Sequence, residues 1–531
     1  MSAPETTSAE TVAVEWIPPV AYNDHAIIDG TYVMDGLTIP FKYSDGFFEV
    51  DPHAYQTHMA TTSLSLSHSG TKNAYRGDYS VCTEQLESIF EQIGFENVYV
   101  SASYLTEPTV DSVGCVIAEK SVESARGTES VIAIVLRSGA YRAEWASNFL
   151  LGESGESSGI ASAADQVVNL YLEDFLSDKA ELRAKLDEGK VAFWVQGYSR
   201  GGGVGNLTAK RLVDLYQPAG NDVYAYCIDA QMGGVREAER PDRDYTVIHN
   251  VVNPSDLIPY LAPSVMGFMR YGLDHYLYSG KADVENPITD ESGHPVSDNK
   301  RLVTMPAKRL SLIRKQLVEL FGEGPDVERN MPYVVDYKGF NLFTQEIVSL
   351  TRQTKTATFI ESFLNGLAVT DRETYVSCGL EAVLGRLMVF LFSGAEVNDF
   401  ADTALLKGLL SDVAAECKDT ITDNTFWSEY GKMTVNFQSP VARVLTDAVV
   451  SRLRDAGVFR DLLTEYPEGG YDRAINDLEI FLYRMLYAVT DLDDLVTFAL
   501  NVFSLTRNHE YIPNLAILRS YDSWYEPTAD D

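Results

Sequence analysis

The sequence predicts an α/β fold: a doubly wound, mostly parallel sheet interrupted by a large all-helical insertion. Three observations carry that expectation. Between residues 79 and 253, apolar strand-like runs alternate with helical patterns, the signature of a sheet with helices on both faces. One of those runs, residues 191–195, leads into Gly197-Tyr198-Ser199-Arg200-Gly201, and a helical pattern follows at once. Beyond about residue 281 the composition shifts to helical periodicity without convincing strands.

Taken in order, residues 1–20 are polar and acidic and read as a flexible leader. Residues 21–75 mix short alternating runs with Gly and Asp turns. They predict an antiparallel hairpin followed by a helical segment over residues 55–67. His53, His58 and His68 fall here at spacings that match no metal site, so they read as surface or turn residues. Residues 82–93 form an amphipathic helical pattern closed by Gly94. Strands are expected at 97–103, 112–118, 131–136, 222–228 and 245–252. The six consecutive apolar residues at 131–136 suit a central parallel strand. Residues 21–280 thus read as the core. Residues 281–500 read as a helical cap or insertion, with apolar stripes such as Leu405, Leu406, Leu409, Leu410 and Val413. Residues 501–531 read as a return to the core.

The pentapeptide is the chemically informative stretch. A G-x-S-x-G pattern is weak alone, but between a strand and a helix it reads as a nucleophile elbow. Small neighbours let strand and helix approach, and Ser199 sits at a helix N-terminus, where N–H groups favour a developing oxyanion. A phosphate-cradling loop is the bland alternative. No Walker lysine follows the glycines, and no G-x-G-x-x-G precedes the helix.

Bulk composition narrows the partners. The 531 residues carry a formal charge of −35, so nucleic acid and anionic membrane surfaces are poor partners. The most apolar long stretch, residues 380–392, contains Glu381 and Arg386 and is too short to span a bilayer, so no stable membrane insertion is expected. Cys82, Cys115, Cys227, Cys378 and Cys417 are scattered without a C-x-x-C, which suits reduced thiols. With no signal-peptide pattern at the N-terminus, the expected location is cytoplasmic.

A serine hydroxyl needs a base within hydrogen-bond reach and an acid to orient that base. In this architecture the chain order is Ser, Asp or Glu, then His. Asp256 follows the second strand after the elbow, where the acid belongs. Asp229, one strand earlier, is the runner-up and reads better as a turn residue. Beyond Asp256 lie His275, His294 and His509. His294 sits in a polar turn. His275 and His509 stay open as the base.

Three stretches resemble the class 3, fungal-type lipase family of α/β-hydrolases, in particular its bacterial lipase-like members. The elbow is similar to that family's G-H-S-x-G-G, with Tyr198 in place of His. Arg137-Ser-Gly139, with Trp145 further on, is similar to its R-G-[ST] loop. Val251-Val-Asn-Pro-Ser-Asp-Leu-Ile-Pro259 is similar to its V-N-x-x-D-x-V-P. The resemblance spans about residues 80–280 and the tail around His509. It implies a Ser199–Asp256–His509 triad and an oxyanion hole from the N–H of Arg200 and that of Ser138 or Gly139. It also implies substrate contacts at Tyr198 and Trp145. The implied activity is cleavage of a small-molecule or lipid ester through an acyl-enzyme, with no metal or cofactor. An amidase, thioesterase or peptidase on the same scaffold is the alternative chemistry. An interaction protein with a vestigial triad is the non-enzymatic one. Oligomeric state is left open.

Overall fold

The computed structural model describes residues 12–13, 25–34, 36–70, 79–105, 111–139, 155–253, 256, 258–260, 268–277, 307–332, 340–341, 346–347, 451 and 508–525. Trp145, His294 and most of the expected insertion lie outside the described residues.

Eight strands form one sheet. In chain order they are β1 (Val12–Ala13), β4 (Glu96–Val100), β5 (Cys115–Ser121), β6 (Ser130–Leu136), β7 (Val191–Tyr198), β8 (Asp222–Ile228), β10 (Ile248–Val252) and β12 (Leu273–Tyr276). Their spatial order is β1-β12-β10-β8-β7-β6-β5-β4. Every pairing from β1 across to β6 is parallel, whereas β6–β5 and β5–β4 are antiparallel. The mostly parallel sheet with helices on both faces fits an α/β-hydrolase fold. A separate hairpin pairs β2 (Ile28–Met34) with β3 (Leu37–Tyr43), as the alternation in this region predicts. Two-residue ladders join β9 (Gly234–Val235) to β11 (Phe268–Met269) and β13 (Phe340–Asn341) to β14 (Glu346–Ile347). The last pair falls inside the stretch expected to be wholly helical. Val12 and Ala13, within the expected leader, align with His275 and Tyr276 at the sheet edge.

Alternation along β7 divides the interior into two layers. Val191, Phe193 and Val195 face one layer, which they share with Val204, Leu207, Leu212 and Val213 of the helix Arg200–Tyr216. Leu215 belongs to the same apparent stripe in the sequence, yet it is 54% exposed. Ala192, Trp194 and Tyr198 face the other layer, filled by the hairpin and the helices Thr57–Ser69 and Tyr511–Arg519. The helix Ala307–Phe321 also packs here through Ile313 and Leu317, and Gln316 donates to the Tyr525 carbonyl (2.7 Å). This first helix of the expected insertion therefore belongs to the core layer.

The helix Thr57–Ser69 corrects the surface assignment of two histidines. It is Ser/Thr-rich and yet buried on almost every side. Its hydroxyls supply their own partners: Thr61, Thr62 and Ser65 donate to carbonyls four residues back at 2.9–3.1 Å. Ser63 accepts from the Trp194 indole (3.0 Å). With its polar groups satisfied internally, the helix can lie against the sheet and take His58 and His68 inside. His58 stacks on Trp524 and bonds to Asp522, and His68 stacks on Tyr511 and bonds to the Tyr32 hydroxyl. His53 is exposed, as the sequence suggests.

Candidate active site

The elbow is built from backbone constraints. Ser199 closes β7 with φ 58° and ψ −126°, a conformation that L-residues adopt only when their surroundings impose it. Its N–H donates to the Ile228 carbonyl (2.9 Å), and its carbonyl accepts from Gly203 (3.0 Å). A Cβ on Gly197 would lie 2.2 Å from the Gly201 carbonyl oxygen. One on Gly201 would lie 2.6 Å from the carbonyl oxygens of Leu136 and Arg137. Glycine at both positions lets β6, β7 and the following helix converge under the serine.

Three sequence-predicted residues meet at this point. Ser199 Oγ lies 2.7 Å from His509 Nε2, and His509 Nδ1 bonds to Asp256 Oδ2. In the neutral imidazole Nδ1–H donates to the carboxylate, and Nε2 accepts from the Ser199 hydroxyl. Burial lowers the His509 pKa to about 4, against an opposing pull from Asp229, so the base is neutral near pH 7. The Asp256 turn is self-capped: its N–H donates to the Asn253 carbonyl, and its Oδ1 accepts from the Ile258 N–H, both at 3.0 Å.

Arg200 is the first residue of the helix after the elbow, so its N–H lies in the N-terminal turn, where backbone N–H groups point out of the helix end. Gly139 stands beside it, with its Cβ position 3.7 Å from Arg200 Cβ. Ser138 is buried next to Gly139. Of the two possible donors of the loop after β6, Gly139 is the one in contact range of Arg200.

Tyr198 corrects the expectation of a substrate contact. Its side chain is only 2% exposed and points into the core layer, because strand alternation sends it away from Ser199. The ring stacks on His509 (centroids 5.1 Å apart) and packs tilted against Tyr511 (4.2 Å), and the hydroxyl accepts from Asn514 (3.1 Å). A role behind the imidazole predicts a split in kinetics. Tyr198→Phe loses one buried hydrogen bond, so kcat should fall about 2–10-fold with KM unchanged. A rise in KM alone, in steady-state ester hydrolysis, would return Tyr198 to the substrate.

Several supporting residues escape sequence reasoning. Asn253 Nδ2 donates to the Asn508 carbonyl and to Asn514 Oδ1, both at 3.0 Å. Asn514 Nδ2 donates in turn to the carbonyls of Asn508 (2.9 Å) and Glu510 (3.1 Å). This amide cage ties the acid turn to the loop carrying His509. Arg270 bridges the carbonyls of Ala230 (3.1 Å) and Pro259 (2.5 Å), fastening the same turn to the end of β8. The only advance signal was position: Asn253 lies inside the quoted acid motif, and Asn514 is a polar residue in an apolar run.

His275 stands apart from the serine. It lies in β12, buried, stacked on Tyr55 and paired with His249 Nδ1 at 2.9 Å. Asp229, read as a turn residue, does end β8 with φ 44°, but its buried carboxylate reaches the site. Ligand atoms of Asp229, Asp256 and His509 lie within 4.8 Å of one another. A cation there would compete for the atoms that already form the Asp256–His509 hydrogen bond.

No protein family matches the sequence, and no curated relative does. Among solved structures the chain is similar to a fungal lipase described as an inhibitor complex, 16% identical, covering 42% of this chain and 80% of that one (TM-score 0.29). It is also similar to lipase II from Rhizopus niveus, at 14% identity with 41% and 81% covered (TM-score 0.28). For M37 lipase the identity is 15%, with 39% and 69% covered (TM-score 0.28). Similarity at this level fixes neither fold nor chemistry, which rest on the strands and distances above. Among the described residues no helix is long and apolar enough to cross a membrane.

Proposed function

We propose that this protein is a serine-dependent acyl hydrolase that cleaves carboxylic esters through an acyl-enzyme. The observation that carries the reading is the continuous hydrogen-bond chain from Ser199 through His509 to Asp256, with the serine at positive φ on a helix N-terminus. Ser199 Oγ attacks the ester carbonyl carbon as its proton passes to His509 Nε2. Asp256 holds the imidazole in the required tautomer and stabilises the imidazolium. The N–H of Arg200 and that of Gly139 or Ser138 receive the negative charge on the carbonyl oxygen. Collapse breaks the ester C–O bond, and His509 returns the proton to the leaving alkoxide. Water, deprotonated by the same imidazole, then releases the acid. A substrate contact for Trp145 rests on the resemblance of its loop alone.

A fluorophosphonate probe tests the reading. It should label the wild-type chain stoichiometrically and fail on Ser199→Ala, while the thermal midpoint stays near wild type. Labelling that survives the substitution, or a variant that loses its fold along with activity, rejects Ser199 as nucleophile. Comparing ester, thioester and amide turnover separates the chemistries that the same triad supports. Residues 281–500, the expected helical insertion, lie between Asp256 and His509 in sequence, and His509 joins Asp256 to Ser199. We assign that excursion to substrate selection. Replacing it with a Gly/Ser linker in a folded variant should change acyl-length preference; unchanged kinetics across an ester series would remove it from catalysis.

A further inference from the structure

The mechanism above leaves one buried acid without a task. Asp229 is fully buried at the end of β8 in a backbone conformation that non-glycine residues rarely adopt. Its Oδ1 accepts from the Asn253 N–H (2.7 Å), on the turn that also presents Asp256. Its Oδ2 finds no hydrogen-bond donor among the described residues, although such an atom is costly to bury unpaired. One oxygen of the Asp229 carboxylate lies within 4.8 Å of ligand atoms of both Asp256 and His509. Two carboxylates that follow the adjacent parallel strands β8 and β10, one directly and one on the turn beyond, thus converge on one imidazole.

We propose that Asp229 is a positioning residue held in reserve beside the imidazole, a second acid that can orient and charge-balance His509 in place of Asp256. The inference rests on the serine-hydrolase reading of the site. Two like charges this close in a buried site cannot both be carried, so one carboxyl keeps its proton. Burial, followed by repulsion from Asp256, holds Asp229 well above the usual carboxylate range; His509, the Asn253 N–H and Arg270 pull weakly the other way. Tyr198, also facing Asp229, is itself held neutral by burial. Removing the charge on Asp256 removes that repulsion. Asp229 then ionises, its unpaired Oδ2 turns toward His509 Nδ1–H, and the pocket recovers one negative charge.

The experiment compares kcat/KM and fluorophosphonate labelling in wild type, Asp256→Asn, Asp229→Asn and the double variant between pH 5 and 9. Loss of a lone triad acid costs about 10⁴-fold. With a reserve acid, Asp256→Asn should lose only about 10–100-fold and gain an acid limb set by ionisation of Asp229. The double variant should lose about 10⁴-fold and lack that limb. Equal losses in the single and double variants overturn the proposal, as does a loss confined to Asp229→Asn, which would make Asp229 the primary acid. Infrared spectroscopy provides a second readout if the double variant does not fold. A protonated-carboxyl band at neutral pH should be present in wild type, absent in Asp229→Asn and lost in Asp256→Asn; its persistence in Asp256→Asn overturns the proposal. The Ser199→Ala control keeps the two claims separate. Labelling that survives it sinks the hydrolase reading, whereas the Asp comparison sinks only the reserve acid.

Discussion

His509→Ala is expected to lower kcat/KM for ester hydrolysis by about 10⁴–10⁶-fold, and His275→Ala by less than tenfold. The asymmetry follows from what each ring touches. His509 is the residue between Ser199 Oγ and Asp256, and without it the hydroxyl has no acceptor for its proton. His275 donates into His249, whose Nε2–H donates to the Pro52 carbonyl, so its loss leaves a buried acceptor unsatisfied far from the nucleophile. The cost for His275→Ala should therefore appear as a lower thermal midpoint and not as slower chemistry. Steady-state kinetics with a soluble ester and a melting curve on each variant measure both quantities. A large kinetic loss for His275→Ala with His509→Ala active would reverse the roles.

A second large effect is acid lability. Burial lowers the pKa of His68 to about 3 and of His249 to about 4, and holds His275 well below its ordinary value. In the unfolded chain these rings protonate near pH 6.5, so below that point the unfolded state binds protons that the native state refuses. Their contribution is intact above pH 6.5 and falls as pH drops toward 4. At pH 5 the loss is about 2 kcal/mol each for His68 and His249. Asp229 works in the opposite sense, because its native carboxyl keeps a proton that the unfolded chain has released, but it is one group against several. Urea unfolding at pH 7 and pH 5 should show a clear loss of midpoint. The slope should flatten in His249→Gln. Equal stability at both values would mean that these rings protonate without disturbing their packing.

The legible parts of the molecule were those whose burial is written in apolar side chains. Residues 131–136 and 222–228 stood out because both faces of those strands are covered. The serine was legible because its glycines answer to steric demands that no other residue meets. Direction was not: β5 reads like its parallel neighbours, yet it returns antiparallel to β6, since the same side-chain pattern serves either pairing. The helix Thr57–Ser69 hid its burial behind hydroxyls that bond within their own turns. Tyr198 adjoins the nucleophile in sequence, and only strand alternation turns it inward. Asp229 came to the site through the pairing of β8 with β10 and through Asn253, contacts that no local pattern encodes.

The ends of the Ser199–His509 hydrogen bond are 310 residues apart in the chain. During translation, at about 5–20 residues per second, Ser199 leaves the ribosome about 15–60 s before its hydrogen-bond partner His509 is made. The α-helix Tyr511–Arg519 does two jobs at once, closing one core layer with Leu515, Ile517 and Leu518 while fixing the loop that holds His509. On the proposed mechanism, a nascent chain therefore carries an inert nucleophile until its fold is closed. Covalent labelling of Ser199 on stalled ribosomes would serve as a clock for completion of the native core.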